Sequence, residues 1–301
     1  MSTNASIDLY QEVTDKIIQA LEQGTPPWVC PWDKGHGSVL PANFASGRLY
    51  RGINVLLLNL RQIAEGYPRN RWLTYQQAKA IGGHVRRGEA ATRVVFFKLL
   101  EAEQSPTEAR STRSQKVIPL LRSFAVFNEA QIEGLPQTSE RTPLNEIGEA
   151  SHAAQQVIDT SGAEIHHGGD SAFYRPSTDA IQMPPLEAFD SEESYYRVAL
   201  HELTHWTAHA SRCNRPLLSR QHIEAYAFEE LVAEMGAAFL SARCGLPSSL
   251  RHASYIDAWL KGLRNDRRLV FSAASMAQKA VDFLLPSTDD RASPVEAAAV
   301  A

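Results

Sequence analysis

The segment SEESYYRVALHELTHWTAHASRCNR contains HELTH at residues 201–205, and no other stretch constrains the chain as strongly. In an α-helix, residues four apart lie about 40° apart around the axis, so His201 and His205 project the same way. Glu202 is turned by about 100° from His201, toward the place where a metal-bound water would sit. Two imidazoles and a carboxylate at this spacing are the ligand pair and general base of a metallohydrolase. Two imidazoles plus one further ligand leave zinc an open position, where bound water drops toward a pKa of about 7 and Glu202 can take its proton. The local sequence supports a helix. Ser191 followed by Glu192 and Glu193 caps its start, Val198, Leu203 and Trp206 give it an apolar side, and the two-strand candidate SAFYRPSTDAIQMP precedes it. An edge strand in that position can hold a peptide by β-addition.

The third ligand must come from elsewhere. HELTHWTAHAS lacks the glycine and third histidine of HExxHxxGxxH, which excludes the metzincin form, and His209 lies too far along the helix to share one ion with the other two. AYAFEELVAEMGAAFL offers Glu229, Glu230 and Glu234. Glu229 shares a face with Ala225, Ala233, Gly236 and Ala237, small residues that let this helix press on the HELTH helix, and it is the preferred candidate. Glu230 and Glu234 share a neighbouring face and stay open as alternatives, one of them as the partner behind a ligating histidine.

Charge separates the two halves of the chain. Lys plus Arg against Asp plus Glu is 16 against 12 over residues 1–135 and 14 against 22 over 136–301, and within 34–98 it is 11 against 2. A basic stretch inside an acidic chain is the footprint of a polyanion partner. Here it is interleaved with aromatic rings, the mixture that holds single-stranded nucleic acid by base stacking and phosphate pairing. The candidate contacts are Trp32, Arg48, Tyr50, Arg51, Asn54, Trp72, Tyr75, Arg86, Arg87 and Lys98, with Trp28 and Trp32 expected at the surface.

Around these motifs the chain reads as alternating helices and strands. IDLYQEVTDKIIQALEQG is a helix that Ser6 can cap, RGINVLLLNLRQIAEG another, and TYQQAKAIGG a short one with Thr74 and Gln77 as a capping box. HVRRGEAATRVVFFK and KVIPLLRSFAVFN are strands, joined by a long polar loop. GLPQTSERTPLNE has no apolar repeat and marks a boundary, which gives domains at 1–135 and 147–285, a linker at 136–146 and a disordered tail at 286–301. Three cysteines without CxxC spacing suggest neither a disulfide framework nor a cysteine metal site. No run of about 18 apolar residues and no signal pattern is present, so a cytoplasmic protein without membrane contact is expected.

PPWVCPW, PANFASGRLYRGINVLLL, WLTYQQAKAIGGHVRRGE, VVFFK and RSFAVFNEAQIEGL resemble the N-terminal domain of the ArdC antirestriction proteins of conjugative plasmids, a domain also found in TraC-type plasmid primases. HELTH followed by YAFEELVAEMGAAFL resembles their C-terminal zincin-type metallopeptidase domain, related in architecture to the SprT proteases. The resemblance spans about residues 7 to 285. It implies an α+β fold in two domains: an N-terminal α+β domain that binds single-stranded DNA, and a C-terminal, mainly helical, zincin-like metalloprotease domain with a small sheet. It also implies protection of incoming plasmid DNA from host restriction. By motif match His201 and His205 carry over as ligands of Zn2+, or of another divalent ion such as Mn2+, Glu202 as base and a glutamate of EELVAE as third ligand. SprT-type sites commonly use a third histidine, and this sequence departs from that pattern. The implied protein substrates are restriction enzymes or other proteins met on DNA; the alternative is a shielding protein whose metal site is structural or regulatory.

Overall fold

The structure is a computed structural model that describes residues 8–28, 40–101, 117–136, 147–217, 223–246 and 255–286. Trp32, the polar loop 102–116, the linker from 137 to 146 and the tail from 287 lie outside these residues. The first helix, α1 (Leu9–Glu22), starts two residues later than Ser6 would set, because the Asp8 carboxylate accepts the Tyr10 amide proton at 3.1 Å. Helix α2 (Ile53–Glu65) follows, and the Thr74–Gln77 capping box opens α3 (Tyr75–Ala80) as the sequence predicts.

Four strands form the N-terminal sheet in the order β1 (Ala42–Asn43), β2 (Arg71–Thr74), β5 (Val117–Asn128), β4 (Thr92–Glu101). The β4–β5 hairpin is antiparallel, with Thr92 opposite Val126 and Glu101 opposite Val117. His84–Val85 does not continue into β4. It forms a separate strand, β3, that pairs with β6 (Ile132–Glu133). In the C-terminal half, α4 (Ile147–Ser161) leads into a three-stranded sheet of order β7 (Glu164–His167), β9 (Ala180–Met183), β8 (Phe173–Arg175), in which β8 is an edge. Four helices complete the described chain: α5 (Glu192–Trp206), α6 (Ile223–Cys244), α7 (Ile256–Asn265) and α8 (Leu269–Leu284). None of the described helices is long and apolar enough to cross a membrane.

One apolar cluster runs through both halves. Val13, Ile17 and Leu21 of α1 and Ile53, Leu56 and Leu57 of α2 share it with Leu200 of α5, Leu231 of α6, Trp259 of α7 and Phe271 of α8. Trp28, expected at the surface, is 3 % exposed and meets Trp259 edge-on at 5.8 Å. Polar contacts cross the same seam: Thr14 Oγ1 donates to the Arg267 carbonyl at 2.8 Å and the Gly52 amide to Gln278 Oε1 at 3.0 Å.

The contact that sets the site is between α5 and α6. A Cβ at Gly236 would stand 2.5 Å from Thr204 Cγ2 and 3.0 Å from Oγ1. Thr204 is held in place because its hydroxyl donates to the Leu200 carbonyl at 2.8 Å. Only a residue without a side chain allows the two helices this approach. Gly236→Ala is therefore expected to lower stability by about 1–3 kcal/mol through overpacking, and to reduce metal retention by moving α6 away from His201 and His205. Denaturant unfolding with metal analysis on the same preparation checks this; an unchanged midpoint would contradict the contact.

Candidate metal centre

Ser191 caps α5 as expected, its Oγ accepting the Ser194 amide proton at 3.2 Å. Nearly three turns on, His201 is 3 % exposed and the His205 side chain 12 %. Their Nε2 atoms stand 3.2 Å apart with the rings at 80°. Glu230 of α6 completes the group, Oε2 lying 3.6 Å from His201 Nε2 and Oε1 3.6 Å from His205 Nε2. One ligand atom from each of the three residues lies within 4.8 Å of the others, so the cluster could hold a metal ion. Donors on a tetrahedral ion at about 2.0–2.2 Å stand roughly 3.3–3.6 Å apart, close to the separation of the two imidazole nitrogens, and Glu230 approaches each of them with a different oxygen. Two imidazoles and a carboxylate accept zinc and manganese alike.

Glu229, the residue preferred from the sequence, is not in this cluster. Its Oε1 lies 3.2 Å from His205 Nδ1, the ring nitrogen that faces away from His201. The same carboxylate is gripped by buried Arg215, with Nη2 at 2.7 Å from Oε1 and Nε at 3.1 Å from Oε2. Arg215 also donates to the Thr204 carbonyl and the Thr207 hydroxyl, which ties the loop after α5 back onto the helix end. Glu234 stands behind the other imidazole, Oε1 3.8 Å from His201 Nδ1. The small-residue face marks the close helix contact but does not single out one carboxylate, because Glu229, Glu230 and Glu234 are all buried against α5. His209 lies beyond the end of α5 and bonds to the Ser211 hydroxyl at 2.8 Å.

Electrostatics follow this geometry. Burial alone would lower the His205 pKa, but the hydrogen bond with Glu229 and the charges of Glu202, Glu229 and Glu230 outweigh it and raise it to about 8. Burial opposes ionisation of Glu230, yet the hydrogen bond with His201 and the nearby imidazole charges bring it down to about 2. Glu229 is likewise held below the usual carboxylate range: burial works against it, and the bonds to His205 and Arg215 prevail.

Glu202 is 7 % exposed, and its Oε2 accepts the Tyr174 amide proton at 2.9 Å. That amide belongs to β8, and donating to Glu202 turns it away from β9 and toward the open edge of the sheet. A second brace holds the edge strand. The Arg212 guanidinium packs 3.7 Å from the centre of the Trp206 ring, donates to the Trp206 carbonyl at 2.7 Å and pairs with Asp179 in the β8–β9 turn. Asp179 accepts the Tyr174 hydroxyl proton at 2.8 Å; burial first, and then this carboxylate, pushes the phenol up to about 12. None of Tyr174, Asp179, Arg212 and Arg215 was singled out from the sequence, since each works through contacts between distant segments rather than through a spacing.

The residues expected to touch nucleic acid divide sharply. Arg48, Arg51, Tyr75, Arg86 and Arg87 are exposed, and Tyr50 is half-buried. Trp72 is 0 % exposed, with its indole N–H donated to Asn70 Oδ1 at 2.6 Å, so it is a core residue and not a stacking platform. Asn54 is buried and exchanges two 2.8 Å hydrogen bonds with the backbone of Val95, which makes it a bracket for β4. Lys98 lies in β4, and its side chain, like the whole of Trp32, is outside the described residues. Part of the basic charge is spent internally, in the pairs Arg61–Glu65, Arg86–Glu89, Arg93–Glu12 and Arg51–Asp282.

Comparison with known proteins agrees with the two halves. Residues 7–127 match the family described as the N-terminal domain of anti-restriction factor ArdC, and residues 152–276 match a zincin-like metallopeptidase family. The chain is similar to the crystal structures of the antirestriction protein ArdC from plasmid R388. The metal-free form is 41 % identical with a TM-score of 0.76, covering 92 % of this chain and 97 % of that one; the Mn(II)-bound form is 39 % identical with a TM-score of 0.76, covering 95 % and 100 %. An uncharacterised protein of Sinorhizobium fredii (strain NBRC 101917 / NGR234), y4eC, is 37 % identical over 94 % of this chain and 93 % of its own length. A DNA primase TraC of Escherichia coli is 38 % identical over 92 % of this chain, which spans only 27 % of that primase, and a second spans 20 %.

Metal retention separates the two glutamates. Glu230→Ala is expected to purify with markedly less metal than the unaltered chain, because two imidazoles alone hold a divalent ion weakly. Glu229→Gln keeps an acceptor for His205 and is expected to retain the metal with affinity weakened about 10- to 100-fold, the usual cost of altering the group behind a ligating histidine. Metal per chain and a titration with Zn2+ and Mn2+ check both. Equal loss in the two variants would contradict the separation.

Proposed function

The chain belongs to the ArdC antirestriction family, and we propose that it binds single-stranded DNA through its N-terminal half while its C-terminal half acts as a zinc-dependent peptidase on proteins met there, protecting incoming plasmid DNA from restriction. The observation that carries the enzymatic part is the convergence of His201, His205 and Glu230 beside a buried Glu202 that is bonded to an open sheet edge. His201, His205 and Glu230 would hold the divalent ion, with Glu229 and Arg215 behind His205 fixing its ring so that Nε2 faces the site. When bound, the ion would supply Lewis acidity to a water and to a peptide carbonyl. The Glu202 carboxylate would take up the proton released by the attacking water and return it to the leaving amine. A substrate backbone lies along β8 by β-addition, and the Arg212–Asp179 brace keeps that strand at a constant distance from α5. Support for the DNA part comes from the exposed Arg48, Arg51, Tyr75, Arg86 and Arg87 on a basic half.

One observation favours a second reading. The Tyr174 amide, an outward donor of the β8 edge, is already bonded to Glu202, so a peptide on that edge must displace the catalytic carboxylate from it. A protein that shields DNA by occupancy, with the metal serving stability or regulation, has no need of that exchange.

The two are separated by Glu202→Gln, which keeps a hydrogen-bonding side chain but cannot take a proton. Peptidase activity, read by self-cleavage or casein cleavage with and without single-stranded DNA, is expected to fall by about 10² or more while metal content stays normal. Undiminished cleavage would remove Glu202 from its role, and full antirestriction in this variant would favour shielding.

A further inference from the structure

The two long strands of the N-terminal sheet, β4 and β5, carry different chemistry on their two faces. Side chains alternate across a strand, so Arg93 and Val95 of β4 share one face with Ser123 and Ala125 of β5, while Thr92, Val94 and Phe96 share the other with Arg122, Phe124 and Val126. The first face is covered: Val95 joins the large apolar cluster and Arg93 pairs with Glu12 of α1. The second is covered only in part. Leu58 of α2 forms a buried cluster with Val94, Val126 and Trp72, and Tyr50, Tyr67 and Phe124 pack around it. One step further along the hairpin the cover ends, and Phe96 is 37 % exposed.

Phe96 does not stand alone there. Its ring meets that of Phe124 edge to face, with the centroids 5.3 Å apart and the planes at 79°. Arg122 lies directly opposite Phe96 in the strand register, which sets the two Cβ atoms about 4.5–5.5 Å apart. Arg51, Arg86 and Arg93 have carboxylate partners, whereas Arg122 is exposed and has none among the described residues. None of the side chains that share this face over 92–96 and 122–126 is acidic. Two rings beside an unneutralised guanidinium select a partner that offers flat π-surfaces and negative charge together. Unpaired nucleic acid offers both, since its bases stack on rings while its phosphates pair with arginine. A duplex offers the charge alone, because the faces of its bases are already stacked on their neighbours.

We infer that this open face of the β4–β5 hairpin is a stacking platform for single-stranded DNA, with a base on Phe96, Phe124 supporting that ring and Arg122 holding an adjoining phosphate. The inference rests on the single-stranded-DNA reading above and adds a surface that carries it. Phe124 and Arg122 lie outside the basic stretch 34–98 that the sequence makes conspicuous, and only the strand register brings them beside Phe96.

The test uses the full chain, a labelled single-stranded oligonucleotide and its duplex, with anisotropy read over a range of salt. Phe96→Leu keeps an apolar side chain but removes the flat ring, and Arg122→Gln removes the charge. Each is expected to weaken single-strand binding about 5- to 10-fold, and Arg122→Gln to reduce the slope of log affinity against log salt by roughly 0.7 for its lost phosphate contact. Arg93→Gln, on the covered face, serves as the control and is expected to bind within twofold of the unaltered chain. Unchanged melting temperatures show that the variants are folded. Photo-cross-linking of the unaltered chain to an oligonucleotide carrying 5-iodouracil is expected to mark Phe96 or Phe124, which keeps the inference testable if Phe96→Leu does not fold. If the unaltered chain prefers single strands but Phe96→Leu and Arg122→Gln bind within twofold of it, or cross-links avoid the hairpin, the inference is overturned and the DNA reading stands. Equal weakening by Arg93→Gln also overturns it, because the effect then belongs to overall charge and not to this face. If the unaltered chain shows no preference for single strands, both fall together.

Discussion

The distance between α5 and α6, set where Gly236 meets Thr204, is the constraint on which the metal centre depends. The histidines come from one helix and Glu230 from the other, so the donor spacing of 3.2–3.6 Å exists only while the helix backbones are this close. Closeness has an electrostatic cost. Glu202, Glu229, Glu230 and Glu234 are all buried at this interface, and Arg215 is the buried cation that answers them. Burying carboxylates in such number is costly unless each is paired. Glu229 is answered by Arg215 and His205, while Glu230 and Glu234 have the imidazoles. The same packing that brings the donors together sets these carboxylates beside both imidazoles, which favours a divalent cation at His201, His205 and Glu230.

Much of this half was legible in sequence because the information is local. HELTH sets His201 and His205 on one side of the helix with Glu202 beside them by helical spacing, Ser191 fixes where the helix starts, and the small residues around Gly236 announce a close partner. The choice between Glu229 and Glu230 was not legible. They differ by one residue, a rotation of about 100°, and only an amphipathic helix reports such a rotation through its pattern. Helix α6 is buried on nearly every side: Leu231, Val232 and Ala233 are as inaccessible as the glutamates. Tyr174 and Arg215 were invisible for a different reason, since their contacts to Glu202 and Glu229 join separate segments with no spacing rule.

In the N-terminal half the same limits worked against the aromatic residues. A ring beside an arginine in sequence reads as a stacking platform, but Trp28 and Trp72 pack inside, where their large apolar surfaces contribute most. Charge counting overstated the field as well, because several of the arginines have carboxylate partners, some far away in sequence, such as Glu12 for Arg93 and Asp282 for Arg51. What remains among the described residues is smaller: Arg48, Arg51, Tyr75, Arg86 and Arg87 are exposed, and of these Arg51 and Arg86 already pair with carboxylates.

The two halves also pack more intimately than a boundary near residue 135 suggests. Helix α1 docks on α7 and α8 through Tyr10 against Phe271 and Thr14 against the Arg267 carbonyl, and the start of α2 reaches α8 through the Gly52 amide. Helix α8 in turn packs along α6, which carries Glu230, so the apolar cluster is continuous from the first helix to the metal centre. Apolar surface buried this way stabilises by roughly 25 cal/mol per Å2, far more per contact than the exposed Arg51–Asp282 or Arg264–Glu22 pairs on its rim. The union of the halves is thus a matter of core packing, with the surface charges setting register. A helix that serves both cores cannot shift in the N-terminal half without being felt by the element that presents Glu230, which makes the N-terminal half and the His201–His205–Glu230 cluster parts of one cooperative body.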